Sequence, residues 1–141
     1  MHLINIYYPW SDYVLAGICD VVSVYERPEI EKGHYIVRCL KPLFKAELSE
    51  QQQQVVDKHF LLGNFSHKNR PKYGRILGIV EVDGCSRKSK SVWNQGDEFF
   101  KMKISRVYQL KIPLSLEEYL SLFDIDELPS LDYVEEIPLQ K

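Results

Sequence analysis

No basic residue precedes Arg27, so the amino terminus lacks the positively charged region that opens a secretory signal. The apolar opening from Met1 to Ser11 is interrupted by Asp12. It falls short of the about 20 apolar residues that span a bilayer, so it reads as the first strand of a core and no membrane partner is expected. Cysteine is scarce, and Cys19, Cys39 and Cys85 form no C-x-x-C pair. An odd, widely spaced set argues against a disulfide framework and a zinc knuckle. The three read as reduced, buried small hydrophobes of an intracellular, cytoplasmic protein. His2, His34, His59 and His67 show no i, i+4 pairing with a helical glutamate, and no glycine-rich phosphate loop is present. No metal and no cofactor are therefore expected. There is also no internal repeat and no linker.

What is present is an ordinary globular composition, 45% hydrophobic and 27% charged over 141 residues, the size of one domain. The formal net charge of −2 conceals an uneven distribution. Residues 64–111 carry 11 Lys/Arg against 4 Asp/Glu, a net +7, whereas residues 112–141 carry 1 against 8, a net −7. A basic middle followed by an acidic end suggests a polyanion-facing surface and a separate acidic one. The same pattern also arises if the acidic end neutralises the basic face within one fold.

Local patterns predict an α+β chain. Leu3–Tyr8, Val21–Tyr25, His34–Leu40, Arg75–Asp83 and Phe99–Ile112 have the alternation or the β-branched and aromatic runs of strands. Gly78 within the strongest run suggests a bulge or close packing. Even-numbered residues from Phe100 to Ile112 supply one apolar face, and Lys101, Lys103 and Lys111 fall on the other. A short helical turn is capped by Ser11 or Asp12 and stopped by Gly17. A second helix starts at Ser49, with Gln52 placed as in a capping box, and a third runs from Ser115 to Phe123. Two polar loops, Asn64–Gly74 and Gly84–Gly96, separate the last strands.

Tyr7 to Val21 (Y-Y-P-W-S-D-Y-V-L-A-G-I-C-D-V), Lys32 to Val37 (K-G-H-Y-I-V) and Gly74 to Val82 (G-R-I-L-G-I-V-E-V) together resemble an ASCH domain. This is the activating-signal-cointegrator homology group of the PUA-like superfamily, and the resemblance covers most of residues 3–112. It implies a small β-barrel of about five or six strands with peripheral helices, over residues 1–123. Residues 124–141 are then an acidic segment packed on that domain or extending from it. The resemblance also implies a cleft beside the first helix that handles RNA, DNA or modified nucleosides. Small members similar to amidohydrolases use a lysine and a threonine in G-x-K-x-x-T-x-R. In this chain Cys19 stands at the lysine position, Val22 at the threonine and Val24 at the arginine, so those proton-transfer groups are missing.

The densest candidate site is Lys68, Arg70, Lys72, Tyr73 and Arg75, where cations suit phosphates and tyrosine offers a stacking face. Arg87, Lys88 and Lys90 precede Trp93 on the next loop, and Trp10 and Trp93 are candidates to cap a base-sized pocket. Merging of the two loops with the lysine face would give one positive surface. The leading expectation is non-catalytic recognition of RNA, DNA or a modified nucleotide. The alternative is a protein-binding adaptor or inhibitor module whose acidic carboxy-terminal segment meets a basic partner, and an enzyme acting on a nucleoside or RNA comes third. Leu128, Leu131, Tyr133, Val134, Ile137 and Leu139 give that segment a further possible role, as plain structure packed on the domain.

Overall fold

A computed structural model describes residues 1–28, 32–42, 47–61, 73–94, 96 and 99–139. Its elements are β1 (His2–Tyr7), α1 (Trp10–Leu15), β2 (Val21–Val24), β3 (Lys32–Leu40), α2 (Glu50–Leu61), β4 (Ile76–Ser86), β5 (Phe100–Leu114), α3 (Leu116–Leu122) and β6 (Val134–Ile137). The strands form one six-stranded mixed sheet in the order β1-β3-β4-β5-β2, with β6 also on β5. β1 runs parallel to β3 and the other pairings are antiparallel. β5 is long enough to take two neighbours on one edge: β2 pairs with Phe100–Lys103 and β6 with Val107–Leu110. Among the described residues no ladder joins β1 to β2 or β6, so the sheet is open where a closed barrel was expected.

Each face of the sheet has its own core. Ile6, Tyr35, Val37, Val80, Val82, Met102, Ile104 and Val107 gather on the first face under Val14 and Leu15 of α1, with Val55 and Val56 of α2 at the periphery. Ile36, Ile79, Tyr108 and Leu110 gather on the second, under the fully buried Tyr119 of α3 and Val134 of β6. The register of β4 on β5 shifts at three places, and the middle one changes which face the β5 side chains take. Glu81 pairs with Arg106 but Val82 pairs with Ile104, which leaves Ser105 as the extra residue of a β-bulge. A bulge reverses which side chains face which way. Met102 and Ile104 therefore share the first core with Val107, while Tyr108 and Leu110 turn to the second. Lys103 and Lys111, expected on one basic face, are consequently on opposite sides.

Gly78 shows why α1 packs so closely. A Cβ there would lie 2.2 Å from the Tyr108 carbonyl oxygen and 3.0 Å from Leu15 Cδ2, so only hydrogen fits between strand, helix and neighbour. The helix caps follow the sequence where Ser leads. Ser49 Oγ accepts from Gln52 N–H while Gln52 Oε1 accepts from Ser49 N–H, both at 3.1 Å. Ser115 and Glu118 repeat this box at α3. α1 differs, because its cap is Pro9 and neither Ser11 nor Asp12 serves. Ser11 is instead fully buried, its hydroxyl donating to Cys39 Sγ at 3.3 Å.

The acidic end of the chain is built in. Beyond the pairing of β6, Ile137 and Leu139 pack on the first core. The Pro138 carbonyl oxygen comes so near Gly17, where φ is +80°, that a Cβ would meet it at 2.5 Å. Among the described residues no helix is long and apolar enough to cross a membrane.

Candidate nucleic-acid interface

α1 lies across the first face of the sheet and carries a row of rings. Trp10 meets Trp93 edge-on with centroids 5.8 Å apart, and Tyr13 lies 5.7 Å from Trp93 and 5.8 Å from Trp10. At the start of α1, Tyr8 meets Tyr73 edge-on at 6.0 Å. Trp93 is 3% exposed, so it forms the inner wall of this row, while Tyr8, Trp10 and Tyr13 keep part of their surface in solvent and Tyr73 is 45% exposed. Trp93 is held there by its loop. Its N–H donates to Ser91 Oγ at 3.1 Å, and Gln52 Nε2 of α2 donates to the Val92 carbonyl at 2.8 Å.

Asp12 sits in the middle of the row. No cation pairs with it among the described residues, and burial alone pushes its carboxyl up to about 6. The carboxylate in turn raises the phenols of Tyr8 and Tyr13, for both of which burial is the larger cause. A half-buried carboxyl beside aromatic faces can accept from N–H groups of a flat ligand while the rings cover its plane. Read along the chain, Asp12 has only a capping role. Its signal was one acidic residue inside an apolar, aromatic run, which means a carboxyl drawn under the surface with its helix.

The two basic loops are separated. Tyr73 and Arg75 precede β4, whereas Arg87, Lys88 and Lys90 follow it, and a strand of 11 residues has a contour of roughly 35 Å at about 3.3 Å per residue. The described parts of these loops therefore do not merge, and α1 is the element between them. Lys68, Arg70 and Lys72 lie outside the described residues. Arg75 is engaged elsewhere, with its guanidinium 3.3 Å from Glu118 of α3.

The far loop borders a cavity of about 340 Å³ lined by Asp20, Ser86, Lys88, Ser89, Ser91, Lys101 and Lys103, among others. That volume is within the range of small-ligand pockets, about 300–1,000 Å³. Its cations differ in kind. Lys88 and Lys103 are exposed, while Lys101 is 2% exposed and donates to the Arg87 and Gly96 carbonyl oxygens. Lys101 thus fixes the loop from below rather than presenting a charge, contrary to the expected basic face. Arg87 lies over the Phe100 ring, 4.7 Å from its centroid, and Asp20 accepts from the Ser91 hydroxyl.

Cys19 is 3% exposed and donates to the Val21 carbonyl at 3.1 Å. Burial pushes its thiol up to about 12, which leaves no thiolate at neutral pH. Among the described residues no group of three or more His, Cys, Asp or Glu is placed to hold a metal ion. No protein-family model matches the chain, and no curated protein matches it.

Proposed function

We propose that this chain is a non-catalytic recognition domain of the ASCH type, PUA-like, that binds nucleic acid or a modified nucleotide. The observation that carries the reading is the row of rings along α1, with Asp12 at its centre and the Lys88–Lys90 loop at its Trp93 end. Partly exposed rings give stacking surfaces that tolerate any base, and a half-buried carboxyl adds a preference for bases with N–H donors. Lys88 and Lys90 supply the phosphate contacts. The open sheet is compatible with a PUA-like arrangement in which β1 and the β2/β6 edge curl toward each other without pairing.

Fluorescence anisotropy with a labelled single-stranded oligonucleotide over a salt series tests this. Affinity should fall steeply as salt rises. Replacing Lys88 and Lys90 together by Ala should flatten the log–log slope by about 0.7 per lost phosphate contact. Trp10→Ala should weaken binding by about 1–3 kcal/mol, the usual worth of one stacked base. Affinity that is independent of salt and indifferent to both changes would rule out this interface.

A further inference from the structure

The side of the molecule away from α1 carries a second surface with a different chemistry. Ile112 is 72% exposed, Leu122 59%, Leu131 70% and Tyr133 52%. Two contacts tie the segments that carry them together. The Lys111 N–H donates to the Tyr133 carbonyl at 3.0 Å, which sets Tyr133 and Leu131 against the Ile112 end of β5. Phe123, which follows α3, meets the Tyr133 ring at 5.1 Å and joins the helix end to that turn. Single exposed apolar residues are ordinary, but a connected group of large ones on a small domain marks an interaction surface.

The rim of this surface is acidic. Residues 112–139 contain eight Asp/Glu and no Lys or Arg. Three of the carboxylates are matched: Glu118 by Arg75 at 3.3 Å, Asp126 by the amino terminus at 3.2 Å and Glu136 by Arg106 at 3.9 Å. Among the described residues Glu117, Asp124, Glu127 and Asp132 have no ion-pair partner, and neither has Glu135, which alternates with Val134 and so lies on the first face with Ile137. Unmatched negative charge around an apolar centre opposes a second copy of the same surface and repels anionic lipid. It attracts a segment of opposite design.

We infer that the Ile112–Leu122–Leu131–Tyr133 surface docks a basic amphipathic segment of another protein, apolar side chains against the centre and Lys/Arg against the rim. Helix-in-groove recognition works this way, with apolar anchors giving affinity and flanking charges giving orientation and rate. The surface lies across the sheet from α1, so it is independent of the nucleic-acid reading and leaves that interface free.

The probe is an 18-residue designed helical peptide with leucine on one face and lysine on the other, titrated by calorimetry into the full chain. Two control peptides keep the length, one with serine for leucine and one with glutamate for lysine. The Leu/Lys peptide should bind at least tenfold more tightly than either control. Ile112→Ser with Leu131→Ser should weaken it at least tenfold, with the melting temperature and the salt-dependent oligonucleotide binding unchanged. Equal binding of the serine control, no binding of the Leu/Lys peptide, or indifference to the double variant would overturn the inference. So would a concentration-dependent dimer that the double variant abolishes, or binding to vesicles of anionic phospholipid through these residues.

Discussion

Replacing Asp12 by Asn should make the protein more stable and a poorer binder. The carboxyl is drawn under the surface by α1, and burial raises it from 3.8 to about 6. A raised carboxyl disfavours folding once it must ionise. Below the unfolded value of 3.8 both states are protonated and the group contributes nothing. As pH rises from there to about 6, the unfolded chain releases its proton first, and stability falls until the native carboxyl has ionised as well. A shift of about two units at 1.36 kcal/mol per unit sets an upper limit of about 3 kcal/mol. Partial solvation of the carboxylate reduces this, so about 1–3 kcal/mol is expected at pH 8. Asn keeps the shape and the acceptor oxygen without the charge. Urea unfolding at pH 8 should therefore show a higher midpoint for Asp12→Asn at an unchanged slope, and the two proteins should converge below pH 4. Above about pH 6, where the native carboxyl is ionised, the variant should bind an oligonucleotide more weakly, because an amide oxygen is a poorer acceptor than a carboxylate. A variant no more stable than its parent at pH 8, or an advantage that persists at pH 3.5, would refute the reasoning by showing that the carboxylate is compensated in the fold.

Two further outcomes follow from packing. Gly78→Ala would place a methyl group 2.2 Å from the Tyr108 carbonyl, a backbone atom that can yield only by moving β5, so a loss of about 3 kcal/mol is expected by chemical denaturation. Lys101→Ala removes a buried ammonium and strands the carbonyls of Arg87 and Gly96, so it should cost about 3 kcal/mol. The exposed Lys103→Ala should stay within about 0.5 kcal/mol. Equal effects at the two lysines would show that Lys101 is not a structural tie.

Periodicity made the α+β class, the four main strands and two of the three caps legible, because those features depend on near neighbours in sequence. Val80 and Val82 fall on one face and Ile79 on the other, as the run from Ile76 to Val82 requires. Ser49 with Gln52, and Ser115 with Glu118, close their boxes within four residues. Pairing between strands decided the rest. The bulge at Ser105 leaves no trace in the alternation of β5, because it arises from the register against Glu81 and Val82. One slipped residue was enough to bury Arg106's neighbour Val107 in the first core and to divide the lysine face. The strand β6 was likewise hidden in acidic sequence. Val-Glu-Glu-Ile can pair as a strand here because β5 extends past β2 and offers Val107–Leu110 as a free edge.

The candidate site was divided in the same way. The sequence supplied residue types that suit phosphates and bases, but not which of them share a surface. Nearness along the chain grouped Tyr73 with Arg75, yet the fold turns Tyr73 toward Tyr8 and Arg75 toward Glu118. Trp10 and Trp93, grouped from the sequence as candidates for one pocket, do meet on α1, but edge-on, with Trp93 buried beneath the row. A loop lysine and a strand lysine looked alike until burial distinguished them, with Lys101 tied to carbonyls and Lys103 left at the cavity. The acidic end follows the same logic in reverse. Its apolar residues looked sufficient to pack the whole segment, but Val134, Ile137 and Leu139 do that work while Leu131 and Tyr133 remain outside. A segment that needed only to neutralise the basic middle would keep its charge near Lys88 and Lys90. This one carries most of its unmatched carboxylates around exposed apolar residues on the other side of the sheet, which is why the two surfaces are assigned to two different partners.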